Sequence, residues 1–332
     1  MNHDPLLTRR LTGALLTTGL VLGLAACGSK PKPVDLNAKA EIQKTEGGVR
    51  MPAGADYGRI VAAEKGAKTI IYTQLMGMGD ANNEKLLFPP AVAKSIGVTP
   101  LQVQTRFMDT IGVTKRYDVR NVDRSVTADQ SDYLVEAMFV GTTQELRRIE
   151  GGVRVAVTQV RLRANLVNRY TGAPVWDAPI VVVGETGGST GDRVTLAPNE
   201  NEGMSAVQQR LGLDYQRAMQ RAFDKLAVRL DLSLRPMGKV TSVDEDNLSV
   251  IGGQRNGLQG GDEMVVFRAK LVRIGKFDEL SDIRAVAAVR CDGVGSATSQ
   301  CDVIRKDPRY KPEPGDFAIL TDHSARGTRM VD

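Results

Sequence analysis

The chain has 332 residues with 44 Lys+Arg against 39 Asp+Glu, a net charge of +5, two His and three Cys. A hydrophobic share of 42% and a charged share of 25% belong to a globular protein with ample core and room for one to three domains. So few His and Cys exclude zinc fingers, His-rich metal sites and haem-attachment motifs, and the small basic excess argues against a nucleic-acid binder.

Arg9 and Arg10 precede an uncharged stretch of apolar and small residues, Leu11 to Leu24. It reads as a secretory signal and is too short to span a membrane as a helix. The stretch ends in Leu24-Ala25-Ala26-Cys27, which resembles the bacterial lipobox. Small residues let the extended chain enter a narrow cleavage site, and the Cys thiol accepts lipid. On this reading residues 1–26 are a lipoprotein signal peptide and Cys27 is the lipidation site; otherwise the segment is a plain signal peptide that happens to contain a Cys. Several acyl chains on Cys27 would hold the protein on a membrane, since each buried methylene contributes about 0.8 kcal/mol. Gly28, rather than Asp, follows the Cys. This permits sorting to the outer membrane, with the body facing the periplasm. Cys291 and Cys301 are then the only remaining thiols, in an oxidising compartment. Their spacing suits a disulfide-closed, Gly-rich loop that stabilises by about 2–3 kcal/mol; two buried free thiols are the alternative.

Residues 27–58, with Lys30-Pro31-Lys32-Pro33, Gly47-Gly48 and Pro52-Ala53-Gly54, carry little apolar pattern and read as a lipidated tether. From residue 59 a β/α pattern begins. Lys68–Leu75 is a β-branched strand. Thr99–Thr110 is a helix with a Ser/Thr-type cap and Pro at its first position. Lys115–Val122 and Tyr133–Gly141 are strands. Val153–Asn168 alternates apolar and polar residues for most of its length, with a slip near Gln159 that predicts a bulge or a curve. Tyr170-Thr171-Gly172 is a hairpin turn, and Val175–Val183 is the returning strand. Gly184–Gly203 is polar. Asp214–Leu230 is a helix, with Ala218, Ala222, Leu226 and Leu230 spaced by four. Residues 59–232 thus read as one α/β domain. Pro236-Met237-Gly238 marks a boundary. Beyond it, in residues 238–322, short strands at Gly238–Val243, Leu248–Ile251, Met264–Ala269, Ala285–Cys291 and Asp316–Leu320 predict a small β-barrel-like module.

Gly187-Gly188-Ser189-Thr190-Gly191-Asp192 lacks the Gly-Lys-Ser/Thr ending of a phosphate-binding loop. The glycines from Gly252 to Gly261 lack the G-x-G-x-x-G order, so both runs read as turns. The acidic groups Asp244, Glu245, Asp246 and Asp262, Glu263 fall at predicted turns and read as solvated. His323 is the one His left after signal removal and supports no Ser-His-Asp system. Neither a catalytic residue, a metal ligand nor a cofactor is expected, and the chain does not read as an enzyme. Arg147, Arg148, Arg154, Arg161, Arg163 and Arg169 form a basic cluster that is either a solvated strand face or a subunit interface.

The order of a helix, a strand ending in Val119-Arg120-Asn121-Val122-Asp123, a strand from Leu134-Val135-Glu136-Ala137 to Gly141, and Val160–Asn168 followed by Tyr170-Thr171-Gly172 resembles the curli secretion channel family, outer-membrane lipoproteins of the CsgG type. The lipobox agrees, and the resemblance covers residues 59–232. Within that family, a domain of this kind with a C-terminal extension is most similar to the holdfast attachment branch. The resemblance implies a periplasmic α/β domain with a mixed sheet that assembles into a homo-oligomer ring. Each subunit would give β-hairpin insertions to a shared oligomeric barrel in the outer membrane. The cargo would be secreted adhesin or amyloid-like subunits, and no nucleic acid would be bound. The hairpins would lie between Gly141 and Arg161 and between Val183 and Gly203. The first is short and carries Glu145, Arg147, Arg148 and Glu150; the second is polar. A membrane strand needs about 9–11 residues with one apolar face. Phe88, in Phe88-Pro89-Pro90-Ala91-Val92, matches the family's pore constriction. Gly238–Arg268 resembles the terminal domain of flagellar H-ring proteins. The alternative function is a periplasmic structural lipoprotein without a pore, such as a flagellar-ring component or a cell-wall-synthase activator.

Overall fold

In the computed structural model, described over residues 49–56, 69–76, 98–121, 132–148, 154–169, 172–187, 194–196, 204–274 and 277–326, the β-branched run Thr69–Met76 forms β1. It pairs in parallel with both β2 (Tyr117–Asn121) and β3 (Tyr133–Arg148). Parallel neighbours need a crossover, which helix α1 (Pro100–Gly112) supplies between β1 and β2. Local chemistry starts α1: Thr99 Oγ1 accepts from Gln102 N (3.3 Å), Gln102 Oε1 accepts from Thr99 N (2.8 Å), and Pro100 follows. β4 (Arg154–Asn168) returns antiparallel on β3. β5 (Ile180–Glu185) and the short β6 (Val194–Leu196) both pair with β4. The resulting mixed sheet has the order β2-β1-β3-β4-β5, with β6 beside the far end of β4.

Helix α2 (Met204–Ser233) lies with α1 on one face of this sheet. The predicted spacing of four is the buried face: Ala218, Ala222, Leu226 and Leu230 are all 0% exposed. Phe223 packs against Phe107 (centroids 5.0 Å apart) and Phe139 (6.2 Å). The alanines let α2 come down onto β5. A Cβ built on Gly184 would sit 1.8 Å from Ala218 O and 2.5 Å from Ala222 N.

Beyond α2 the chain folds into a six-stranded closed barrel made of its own strands, ordered β10-β11-β8-β7-β12-β9. These are β7 (Met237–Asp244), β8 (Asn247–Ile251), β9 (Asp262–Ile274), β10 (Phe277–Val294), β11 (Thr298–Lys306) and β12 (Phe317–Leu320). Val240, Leu248, Val250, Met264, Val266, Val289 and Leu320 fill it as a packed core. A short helix, α3 (Asp322–Arg326), follows. Among the described residues no helix is long and apolar enough to cross a membrane. Leu24, Ala25, Ala26, Cys27 and Phe88 lie outside the described residues.

Several expectations are corrected. The bulge is on β3, where the register slips between Phe139 and Gly141, and not near Gln159 on β4. The apparent slip in β4 has another cause: Val155 and Val157 are buried on the face opposite Ala156, Thr158 and Val160, so both faces are covered there. β3 runs on to Arg148 instead of ending at Gly141. β5 begins at Ile180 and not at Val175: Pro174 keeps only an isolated bridge to Val167, and Pro179, which has no N–H to give, stands just before the strand. Trp176 Nε1 instead donates to Ser233 Oγ at the end of α2 (2.9 Å). The tether read over 27–58 overlaps packed structure: Val49, Met51 and Ala55 lie against Met237, Phe267, Phe317 and Ile319. Pro236-Met237-Gly238 does stand where α2 gives way to β7, and it is buried.

Because the α2 backbone lies so close, Gly184→Val should destabilise the fold by about 1–3 kcal/mol or more in chemical denaturation. Gly141→Ala, with nothing within 4 Å of its Cβ, should stay within about 0.5 kcal/mol of wild type.

Candidate functional site

The most charged buried region is the seam between the α/β layer and the barrel. After α1, Lys115 takes a left-handed conformation (φ 57°) and turns Arg116 inward, leaving it 4% exposed. A buried guanidinium needs compensating acceptors, and elements distant in sequence supply them. Arg116 Nη1 and Nη2 donate to Asp262 Oδ2 (2.8 Å) and Oδ1 (3.0 Å) at the start of β9. They also donate to Gly257 O (2.8 Å) and to Ser324 O on α3 (3.1 Å). Burial works against this charge, but the Asp262 carboxylate overrides it and holds the Arg116 pKa above its ordinary value. Gly257 has φ +85°, and a Cβ there would fall 2.6 Å from Arg116 O. Gln259 Nε2 adds a bond to Thr114 O (3.0 Å).

Asp231, near the end of α2, extends the network. It is 2% exposed and accepts from Tyr117 Oη (2.9 Å). Burial pushes its pKa up to about 6, against the opposing pull of Tyr117, Arg116 and Arg235. Arg235, 1% exposed, donates to Leu232 O (2.8 Å), Leu320 O (3.2 Å) and Ala53 O (3.2 Å), and pairs with Asp322 of α3 (2.5 Å). The cluster therefore ties β2, α2, the barrel, α3 and the 49–56 segment together. Among the described residues no three His, Cys, Asp or Glu side chains are grouped to hold a metal ion.

Asp262 corrects the reading of Asp262-Glu263 as a solvated turn, since it is the buried partner of Arg116. Asp244, Glu245 and Asp246 do form an exposed turn, with Glu245 at φ 50°. The sequence reading also missed Arg116, Asp231 and Arg235. Asp231 falls one residue past the helix as the spacing predicts it, and nothing local identified it or its partners.

Cys291 and Cys301 are bonded to each other. They are directly opposed on β10 and β11, so the bridge crosses a hairpin and does not close an irregular Gly-rich loop. The basic residues do not gather into one site. Arg161 and Arg163 are exposed on the sheet face away from the helices, while Arg147 and Arg148 lie near the distal end of the β3–β4 hairpin. On the helix side of that hairpin, Gln144 Nε2 donates to Thr158 Oγ1 (2.8 Å), which donates to Asp214 Oδ2 of α2 (2.5 Å).

No family model and no curated protein matches the chain. The chain is similar to a PelC dodecamer from Paraburkholderia phytofirmans at 13% identity, covering 47% of this chain and 90% of that one at TM-score 0.20. It is similar to a minor lipoprotein from Acinetobacter baumannii at 7% identity, covering 49% and 88% at TM-score 0.24. Uncharacterized lipoprotein B from Nitrosomonas europaea aligns at 12% identity, covering 55% and 88% at TM-score 0.26. The resemblance to the curli secretion family thus rests on the sequence motifs alone.

Arg116→Ala leaves the Asp262 carboxylate buried without its counter-ion, held only by the Gln259 N–H (2.9 Å), and should cost about 3–5 kcal/mol in urea unfolding. Arg116→Met combined with Asp262→Leu should recover most of that loss. Folded Asp231 holds its proton more tightly than the unfolded chain, whose value is near 3.8. Its contribution is therefore fully present below pH 4 and is lost as pH rises through 6. About 2–3 kcal/mol of stability should disappear across that window, and Asp231→Asn should flatten the dependence when unfolding is followed from pH 4 to 7.

Proposed function

We propose that this chain is a lipid-anchored, non-catalytic assembly protein of the bacterial envelope. It is held at the outer membrane through Cys27, and its homo-oligomer passes or anchors secreted adhesin subunits at the cell surface. The observation that carries this reading is the lipobox Leu24-Ala25-Ala26-Cys27 at the end of a short apolar signal. The Cys291–Cys301 bridge suits an oxidising compartment outside the cytoplasm. The likeness to the curli secretion family in Val119–Asp123 and Val160–Gly172 supports the export side of the reading.

One feature favours a second reading, a structural lipoprotein without a pore, such as a flagellar-ring component or a cell-wall-synthase activator. The β3 segment from Gly141 to Arg148 reads GTTQELRR. It offers no apolar face for a membrane barrel and is tied to α2 through Gln144, Thr158 and Asp214.

The full chain expressed in a Gram-negative host should fractionate with the outer membrane and carry acyl chains on Cys27 by mass spectrometry. Cys27→Ser should move it to the soluble periplasmic fraction. An unacylated, fully soluble wild type would sink the anchor. Planar-bilayer recording of the purified oligomer separates the two readings: conductance supports passage of subunits, and a ring without conductance supports the pore-free form.

A further inference from the structure

The buried face of α2 changes character toward its start. Ala218 lies directly over Gly184 of β5, and Ala218, Ala222, Leu226 and Leu230 pack on apolar strand positions. One turn before Ala218 the same face presents Asp214, which is 0% exposed. Beneath it the strands carry a polar row. Gln144 on β3 is opposed to Thr158 on β4. Thr186, just past the end of β5, donates its N–H to Thr158 O (2.9 Å). Thr158 and Thr186 are therefore opposed on the face that looks toward α2, with Cβ atoms about 5 Å apart. Both are fully buried. The chain beyond Thr186 is pressed onto β4: Gly187 has φ +85°, and a Cβ there would fall 2.5 Å from Ala156 O.

The hydrogen bonds of this group are incomplete. Thr158 Oγ1 accepts from Gln144 Nε2 (2.8 Å) and gives its own proton to Asp214 Oδ2 (2.5 Å). Asp214 Oδ1 and Thr186 Oγ1 are sealed from solvent and have no hydrogen-bond partner. A buried carboxylate supported by one neutral hydroxyl is costly, and native interiors seldom leave such oxygens unsatisfied. The donor chemistry says what fits. A carboxylate and two hydroxyls are hard oxygen ligands, suited to a hard cation and not to a soft one. One carboxylate is not an acidic cluster; it brings a single negative charge. A monovalent cation cancels that charge, whereas a divalent one would leave a net positive charge inside an apolar face.

We propose that Asp214 Oδ1, Thr186 Oγ1 and the remaining lone pair of Thr158 Oγ1 bind a sodium ion between α2 and the sheet. The ion satisfies both orphaned oxygens at once. It joins the helix to β4 and to the end of β5, so its occupancy tightens the docking of α2. The inference is independent of the anchor and oligomer readings above.

The test is thermal unfolding of the full chain in choline chloride, with sodium chloride replacing it at constant ionic strength and pH. Potassium, magnesium and calcium chlorides form parallel arms. The melting temperature should rise saturably with sodium, by about 3–5 °C at ten times the dissociation constant, and less or not at all with the other ions. The wild type should also broaden the sodium NMR line. Asp214→Asn and Thr186→Val, each close in size to the residue it replaces, should lose both responses. Equal melting in choline and sodium, the result expected of a buried water or a protonated carboxyl, overturns the proposal. So does a sodium response that persists in both variants, or a response to calcium without one to sodium. If Asp214→Asn does not fold, Thr186→Val and the wild-type titration decide the matter by the same outcomes.

Discussion

A buried arginine holds this molecule together. Arg116 carries its charge at 4% exposure, which is tolerable only if carboxylate and carbonyl acceptors surround it. Asp262 and Gly257 come from the barrel and Ser324 from α3, while Arg116 itself sits at the entrance to β2. The bidentate geometry to Asp262 fixes orientation as well as distance. The α/β layer and the barrel are consequently held in one relative arrangement by a contact that neither could satisfy alone. Such a joint contributes less to net stability than its distances suggest, because desolvation offsets the Coulomb attraction. Its larger effect is to penalise every arrangement that leaves one partner unpaired.

Asp231 and Arg235 repeat the device one step further along. Both lie where α2 gives way to β7, and through them the helix that roofs the sheet also becomes the stem of the barrel. Tyr117 links this second cluster to the first, since it follows Arg116 in the chain and donates to Asp231. The carboxylate titrates near 6 because burial outweighs the nearby cations. The joint is therefore stiff in geometry and soft in protonation.

Much of the α/β layer was legible because its signals are short-range. A β-branched run makes β1, a Thr-x-x-Gln box with Pro makes the start of α1, and spacing of four makes the buried face of α2. β4 was read with a false bulge because alternation reports burial on one face, and Val155 and Val157 are covered on the other as well. β11 escaped notice since its inward positions are Ser299, Cys301 and Val303, too small or too polar to stand out as an apolar run. The long ribbon of β9 and β10 was read as two short strands, because only the parts inside the barrel have an apolar pattern.

From the sequence alone came the pairing of the two late cysteines, the mixed α/β class and the small C-terminal barrel. Each depends on residue types within a few positions of one another, where backbone propensity, capping and turn chemistry act. Tertiary structure alone decided that Asp262 is a buried counter-ion and not a solvated turn, that Gly184 and Gly257 lie under another segment's backbone, and that β9 and β10 go on pairing with each other past the strands that close the barrel. Arg116 and Asp262 stand 146 residues apart. Whether two charges meet over that distance is set by the packing of every element between them, which no local pattern encodes.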